Sequence, residues 1–264
     1  VTLSWDGAHY AEHTAHHRAY DHVLLSRLGQ PREGLRVLDV GCGVGDFTAG
    51  LLEQPSLPGA SVRGVDADAS MIAQARRQHG DRVDFDVCPA QALDQHLAPD
   101  SVDLLVSTAC LHWLPRSDHP LFLAAARTVL ADGGRLLVEF GGHGQLAEVR
   151  SVLDPLALAA GGRPPTWWFP HSDQYRPLVE GAGFSVSECT LITQPRAMAD
   201  AQALHGWLTS QVLVGYRPHI PEVAWDTFVE GALAGVTELV EQPDGSCDVE
   251  YVRLLVDATA MPAA

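Results

Sequence analysis

The sequence contains no lysine. Its seventeen basic residues are all arginine, set against thirty-three acids, for a formal net charge of −16. Such a chain offers no basic stripe to follow a phosphate backbone, which argues against nucleic acid or an anionic membrane as its main partner. Long apolar runs are also missing. Although 46% of the residues are apolar, no stretch reaches the roughly 18 consecutive apolar residues expected of a membrane span. Cysteine is sparse and scattered, at 42, 88, 110, 189 and 247. An odd number of scattered cysteines suggests the reduced thiols of a cytoplasm and not a disulfide framework, and none forms a C-x-x-C pair. The first eighteen residues are polar and rich in histidine, unlike a signal peptide. What remains open is a small-molecule or carrier-bound substrate. The 264 residues suffice for one large domain, or one domain with a cap. Oligomeric state is not legible.

What is present is a strand, a glycine turn and a helix start in one run. Leu35, Val37, Leu38 and Val40 form the short apolar run of a strand covered on both faces. Gly41, Gly43 and Gly45 permit positive φ and put no Cβ in the way of a ligand on the turn. Asp46 stands where a helix N-cap belongs, ahead of Phe47, Leu51 and Leu52. A dinucleotide fingerprint would place Asp46 at its sixth position, where a carboxylate repels a pyrophosphate. The P-loop is excluded, because no Gly-Lys-Ser/Thr follows. An adenosyl ligand without phosphate, with positive charge near the turn, fits better. S-adenosylmethionine (SAM), carrying a sulfonium and an ammonium, is such a ligand, and Asp39 and Asp46 suit it. The alternative is a purely structural turn.

Residues 1–30 read as a helical segment. His9, His13, His16 and Tyr20 share one helix face, with His17 beside them. They could form a zinc site, a polar exposed helix, or a lid whose Tyr10 and histidines face the substrate; the lid is favoured and no metal is expected. A second strand over 61–66 ends on Asp66, twenty-one residues after Gly45, the spacing of a strand–helix–strand unit. A carboxylate there can accept both ribose hydroxyls. Asp68 is a candidate N-cap, and Met71 packs on an adenine or in the core. Strands are expected over 82–87, 102–106 and 135–140, with a helix over about 120–130. The residues after 106, through His112 and Trp113, follow the carboxyl end of a strand and face the ligand crevice. Further on come a turn at 141–144, a helix over 145–160 and Trp167-Trp168-Phe169 between prolines. These aromatics could wall an apolar pocket, pack as a loop or meet another subunit. A helix over 172–182, a strand over 184–192, helices over 200–213 and 221–241, a last strand over 248–256 and a tail from 259 complete the reading.

In order, Asp39-x-Gly41-x-Gly43-x-Gly45, Asp66, the stretch 102–114 and the turn and strand of 130–140 resemble the class I SAM-dependent methyltransferases, over about residues 35–141. Residues 111–115, 175–184, Pro195 and 204–208 resemble the trans-aconitate methyltransferase-like group. Trp113 beside a polar residue is also similar to methyltransferases of small carboxylic acids. The resemblance implies an α/β fold. It is a Rossmann-like, seven-stranded, mostly parallel sheet with helices on both faces, an antiparallel last strand and a helical cap. The expected organisation is an N-terminal lid (1–30), a SAM-binding core (31–142) and the rest of the sheet with cap insertions (143–264), in one compact domain. SAM is the implied cofactor and S-adenosylhomocysteine the product. The implied cofactor residues are Asp39, Gly41, Cys42, Gly43, Gly45, Asp66, Ala67, Met71, Cys88, Pro89, Ala90, Gln91, Thr108 and Ala109. Pro89 stands where many members carry an acid that binds the adenine amino group. Adenine would then be read by backbone groups of Cys88 to Gln91 or by the Gln91 side chain.

The expected chemistry is displacement at a methyl group, in which the protein aligns nucleophile, methyl and sulfur. A carboxylate nucleophile is already ionised and needs no base; a phenol, amine or enol-like carbon can need one. His112 is the leading base or substrate donor, its alternative being a structural histidine. Trp113 donates its indole N–H or packs. Tyr10, His13, His16, His17, His143, Trp167 and Trp168 are secondary substrate candidates. The expected function is methylation of a small organic acceptor, first at a carboxylate or hydroxyl oxygen. The alternatives are C- or N-methylation in specialised metabolism, or a cofactor-binding protein that assists cyclisation without methyl transfer. A third, an NAD(P)-dependent enzyme, is disfavoured by the glycine register and Asp46.

Overall fold

The computed structural model describes Trp5, Gly7, Tyr10 and residues 21–262. His13, His16 and His17 lie outside the described residues. Seven strands form one sheet: β1 (Arg36–Val40), β2 (Ser61–Asp66), β3 (Asp84–Val87), β4 (Val102–Thr108), β5 (Leu130–Gly141), β6 (Phe184–Met198) and β7 (Cys247–Ala260), in the order β3-β2-β1-β4-β5-β7-β6. β3 to β5 pair in parallel and β7 is antiparallel to β5. The expected Rossmann-like, mostly parallel sheet is therefore the fold.

Alternation along the strands sends side chains into two cores, because successive Cβ atoms point to opposite faces. Leu38, Leu105, Leu136 and Val138 pack on one face with Phe122, Leu123 and Ala126 of helix 119–129. Val37, Leu104, Val106 and Leu137 pack on the other with Leu24, Leu28 and Leu51.

The helices that follow β1 are α1 (Asp46–Leu51), α2 (Ala69–His79), α3 (Leu93–His96), α4 (His119–Val129), α5 (Ala147–Ala159), α6 (Ser172–Gly181), α7 (Ala201–Trp207), α8 (Leu213–Tyr216) and α9 (Trp225–Val240). Asp68 caps α2 as expected, its side chain accepting the Ser70 and Met71 N–H groups. Asp46 does not cap α1. Gly45, in the left-handed region, takes the N-cap, and Asp46 is the first helical residue, paired with His79 Nε2 at 2.8 Å. The expected helix over 200–213 is interrupted by a wide π-turn over Leu208–Val212. The last strand runs to Ala260, so Thr259 and Ala260 are strand and not tail; Thr259 pairs with Arg135.

The chain groups into two compact units. The larger holds residues 21–143, Trp167–Ile192 and the chain from Arg253. The smaller holds Gly144–Thr166 and Thr193–Val252, with Trp5, Gly7 and Tyr10. In the smaller unit α5 packs on α9, where Gly235 lets Val152 approach: a Cβ there would lie 2.8 Å from the Val152 Cγ1. Asp154 of α5 accepts from Arg150 at 3.0 Å and from the Tyr216 hydroxyl. No described helix is long and apolar enough to cross a membrane.

Candidate active site

β1 and β4 are neighbours at the point where strand order reverses, the place where open α/β sheets bind ligands beyond their carboxyl ends. The chain leaves β1 through the glycine turn, with φ of 75° at Gly41, 54° at Gly43 and 86° at Gly45. A Cβ on Gly41 would lie 2.1 Å from Cys110 Sγ, and one on Gly45 would lie 2.6 Å from the Phe85 ring. The protein's own packing therefore demands these two glycines, independently of any ligand.

Asp39, at 1% exposure, is the penultimate residue of this strand. Its Oδ2 accepts the Thr48 hydroxyl at 2.6 Å, and its Oδ1 has no hydrogen-bond partner among the described residues. Burial raises its pKa to about 7; the Thr48 hydrogen bond opposes this, and Asp21 and Asp66 add repulsion. A buried carboxyl with an orphaned oxygen is suited to a cation. Asp66 ends β2. Its Oδ2 accepts the Gly43 N–H at 3.0 Å and its Oδ1 the Asp68 N–H at 2.8 Å. Burial raises its pKa, and these backbone donors oppose the rise. Each oxygen keeps a further lone pair for a diol.

Around these acids, Ala67 is exposed and Met71 is buried in the first turn of α2. Cys42 packs under the turn with Ala49, Ile72 and Phe85. Cys88 and Ala90 are buried, and Pro89 and Gln91 are half-buried, at the end of β3.

A second group of residues gathers beyond β4 and β5. Ala109 has φ 53° and donates its N–H to the Glu139 carbonyl at 3.0 Å, turning the chain into the 3₁₀ turn Leu111–Trp113. His112 Nδ1 accepts the Gly141 N–H at 3.3 Å. A backbone N–H can only donate, so the neutral ring carries its proton on Nε2. Burial, then the charges of Arg253 and His119, holds the His112 pKa well below the usual histidine range. His112 is thus a neutral Nε2–H donor.

Trp113 meets Trp167 edge-on at 5.5 Å, His112 lies 5.9 Å from Phe169, and Trp167 lies 5.9 Å from Phe169. Trp168 turns the other way. It packs on His119 at 4.6 Å and Tyr175 at 5.8 Å. His143 and His171, both exposed, stack at 3.6 Å. Tyr10 packs edge-on against Trp5 in the smaller unit. Among the described residues no three potential ligands group to hold a metal.

Sequence reasoning missed Thr48, Glu139 and Arg253. Thr108 stands opposite Glu139 in the sheet and donates its hydroxyl to Oε1 at 2.8 Å. Arg253 stands opposite Gly141, one diagonal step from Glu139, with Nε 3.5 Å from Oε2. A signal existed: both are charged residues inside otherwise apolar strand runs, Leu136–Phe140 and Tyr251–Val256, where a charge is costly unless paired.

The methyltransferase-domain family model matches residues 37–134. A Schizosaccharomyces pombe protein described as an uncharacterized methyltransferase is 31% identical over 230 residues, covering 83% of this chain and 84% of that one. The chain belongs to the class I SAM-dependent methyltransferases. The trans-aconitate 2-methyltransferase of Mycobacterium tuberculosis is 26% identical to this methyltransferase over 271 residues, covering 96% of each chain. In fold, the YcgJ protein of Bacillus subtilis aligns with a TM-score of 0.62 at 15% identity, over 94% of this chain and all of that one. The methyltransferase uses SAM, and its residues fit that cofactor: an orphaned buried carboxylate for a cation, a second for a diol, and a turn without side chains between them.

Proposed function

We propose that this methyltransferase transfers the methyl group of SAM to a carboxylate oxygen of a small organic acceptor. SAM supplies a methyl group activated on a sulfonium. Asp39 holds the ammonium, Asp66 the ribose hydroxyls, and the backbone of Cys88 to Gln91 reads the adenine. The acceptor lies against Trp113, Trp167 and Phe169. The observation that carries the reading is the state of His112. Its Nδ1 is occupied by the Gly141 N–H, and its Nε2 already bears a proton. It can donate to an acceptor oxygen but has no free lone pair to take a proton. An acceptor that is already ionised suits such a site, and a carboxylate is ionised at neutral pH. The name of the mycobacterial relative, a trans-aconitate methyltransferase, supports the same acceptor class. The five unpaired thiols support a cytoplasmic setting.

Incubation with methyl-labelled SAM and panels of carboxylic acids, phenols and amines tests this. The label is expected in a product that mild alkali cleaves, as a methyl ester. An alkali-stable product would move the reading to a hydroxyl, nitrogen or carbon acceptor.

A further inference from the structure

Within the larger unit, Asp39 sits among groups of its own sign. Asp66 at the end of β2 and Asp21 ahead of β1 both repel it. Its other titratable neighbours are the thiols of Cys42, on the glycine turn, and Cys110, beyond β4. Burial first, then the Asp39 and Asp66 charges, push both thiols well above their ordinary range. These neighbours are acids and neutral thiols, and none of them brings a positive charge. At 1% exposure, water does not solvate the carboxyl either. An ionised carboxyl in such a place needs hydrogen bonds. Asp39 receives one, at Oδ2, from Thr48, and its Oδ1 takes none among the described residues.

Thr48 is the third residue of α1 and is fully buried. A helical threonine commonly bonds a carbonyl one turn back. This one instead gives its hydroxyl proton to Asp39 Oδ2, nine residues away, at 2.6 Å, the short distance of an O–H bonded to a charged oxygen. The bond acts in two ways. It fixes the plane of the carboxyl, so that Oδ1 is the oxygen left for a cation. It also favours the ionised form against burial and two like charges, and the balance leaves Asp39 titrating at about 7.

We propose that Thr48 is a positioning residue for the cofactor: its hydroxyl orients Asp39 and sustains its charge, so that the ammonium of SAM and a proton compete for one carboxyl. Binding of the ammonium releases the proton to solvent. SAM affinity is then full above about pH 7 and falls roughly tenfold for each pH unit below it. This rests on the placement of the ammonium at Asp39 above.

The test is calorimetry on the full chain with SAM and S-adenosylhomocysteine between about pH 5.5 and 8.5, in buffers of different ionisation enthalpy, so that proton release is measured beside affinity. The control ligand is 5′-methylthioadenosine, which keeps the adenine and ribose and lacks the amino-acid part. For the native protein, affinity for the two full ligands should fall below about pH 7, with about one proton released per molecule bound at about pH 6 and little at about pH 8. Methylthioadenosine should bind with little dependence on pH. Thr48→Val should move the midpoint up by about one to two pH units, the range of a hydrogen bond to a charged group. At about pH 7 that weakens SAM by roughly five- to fiftyfold. Thr48→Ser, which restores the hydroxyl, should return the native midpoint. If Thr48→Val fails to fold, Thr48→Cys, with a weaker donor, reads the same upward shift at smaller size. A native affinity that is flat with pH, or a native midpoint in folded Thr48→Val and Thr48→Cys, would overturn the proposal and leave the ammonium at Asp39. Unchanged SAM affinity in Asp39→Asn at about pH 8 would overturn both.

Discussion

The two halves of the site are built by different means. The cofactor half is local and made largely of backbone: Asp39 to Thr48 form one run, and Asp66 to Met71 form the next strand end and helix start. Its acids are held by Gly43, Asp68 and Thr48, each within about two dozen residues of its partner. The proposed acceptor half is assembled from three distant segments: 108–113, 139–143 and 167–171. Between segments its contacts are ring packing and side-chain hydrogen bonds across 28 to 57 positions of sequence. A binding surface built on backbone constrains residue type strongly at few positions. One built on side chains permits change at each position, so acceptors can differ while the cofactor stays the same.

The sharpest way to break the cofactor half is Gly41→Val. Left-handed φ costs about 1–2 kcal/mol for a side chain, and overpacking against Cys110 adds about 1–3 kcal/mol. Loss of SAM binding by calorimetry and a clear fall in melting temperature are expected, partly restored by adding Cys110→Ala.

The halves also differ in how they titrate. Asp39 has its folded pKa raised from 3.8 to about 7. Its folded form holds a proton more tightly than its unfolded form. Its contribution to the stability of the cofactor-free protein is full below about pH 4 and is lost as pH rises to about 7, on the order of 4 kcal/mol. His119, under Trp168, has its folded pKa lowered by burial from 6.5 to about 4. Here the unfolded form holds the proton, so stability is present above about pH 6.5 and is lost as pH falls towards 4, on the order of 3 kcal/mol. The two slopes oppose each other between about pH 4 and 6.5. Relative to the native protein, Asp39→Asn should lose more stability on acidification, and His119→Gln should lose more as pH rises. Chemical denaturation at a series of pH values measures both. Parallel curves for all three proteins would remove the contrast.

Asp66→Ala should weaken SAM binding by about 1.5–3 kcal/mol, the value of hydrogen bonds to a charged group, with acceptor KM unaffected at saturating SAM. His112→Ala should do the reverse, lowering kcat/KM by roughly tenfold, about 1.4 kcal/mol, with SAM affinity kept. Gln at 112, which can still donate, should retain more activity than Ala. The smallest effect is expected from Asp46→Asn. The Asp46–His79 pair is about one-fifth exposed on each side, and partly exposed pairs contribute at most about 1 kcal/mol. Urea unfolding at neutral pH would read it.

Much of the cofactor half was legible in the residues themselves, because its determinants are short-range. The glycine spacing, the acid closing β2 and the Asp68 cap each follow from two-residue and helical periodicities. Asp46 was misplaced by one position because Gly45, at φ 86°, can itself serve as the cap. On the acceptor side, His112 and Trp113 were legible as residues following a strand end. That Trp167 meets Trp113, while Trp168 turns towards His119, follows from strand-like alternation in a loop whose register only its docking on His119 and Tyr175 decides.

The sequence alone determined the sheet, the cofactor turn and the family, because apolar periodicity and glycine φ requirements act over a few residues. Only the tertiary structure decided that Gly41 is demanded by Cys110, that the Gly141 N–H makes His112 a donor, and that Arg253 stands in line with Glu139 and Thr108. Each of these depends on which strand lies beside which. That order is settled by the packing of both sheet faces at once and is written in no single stretch of the chain.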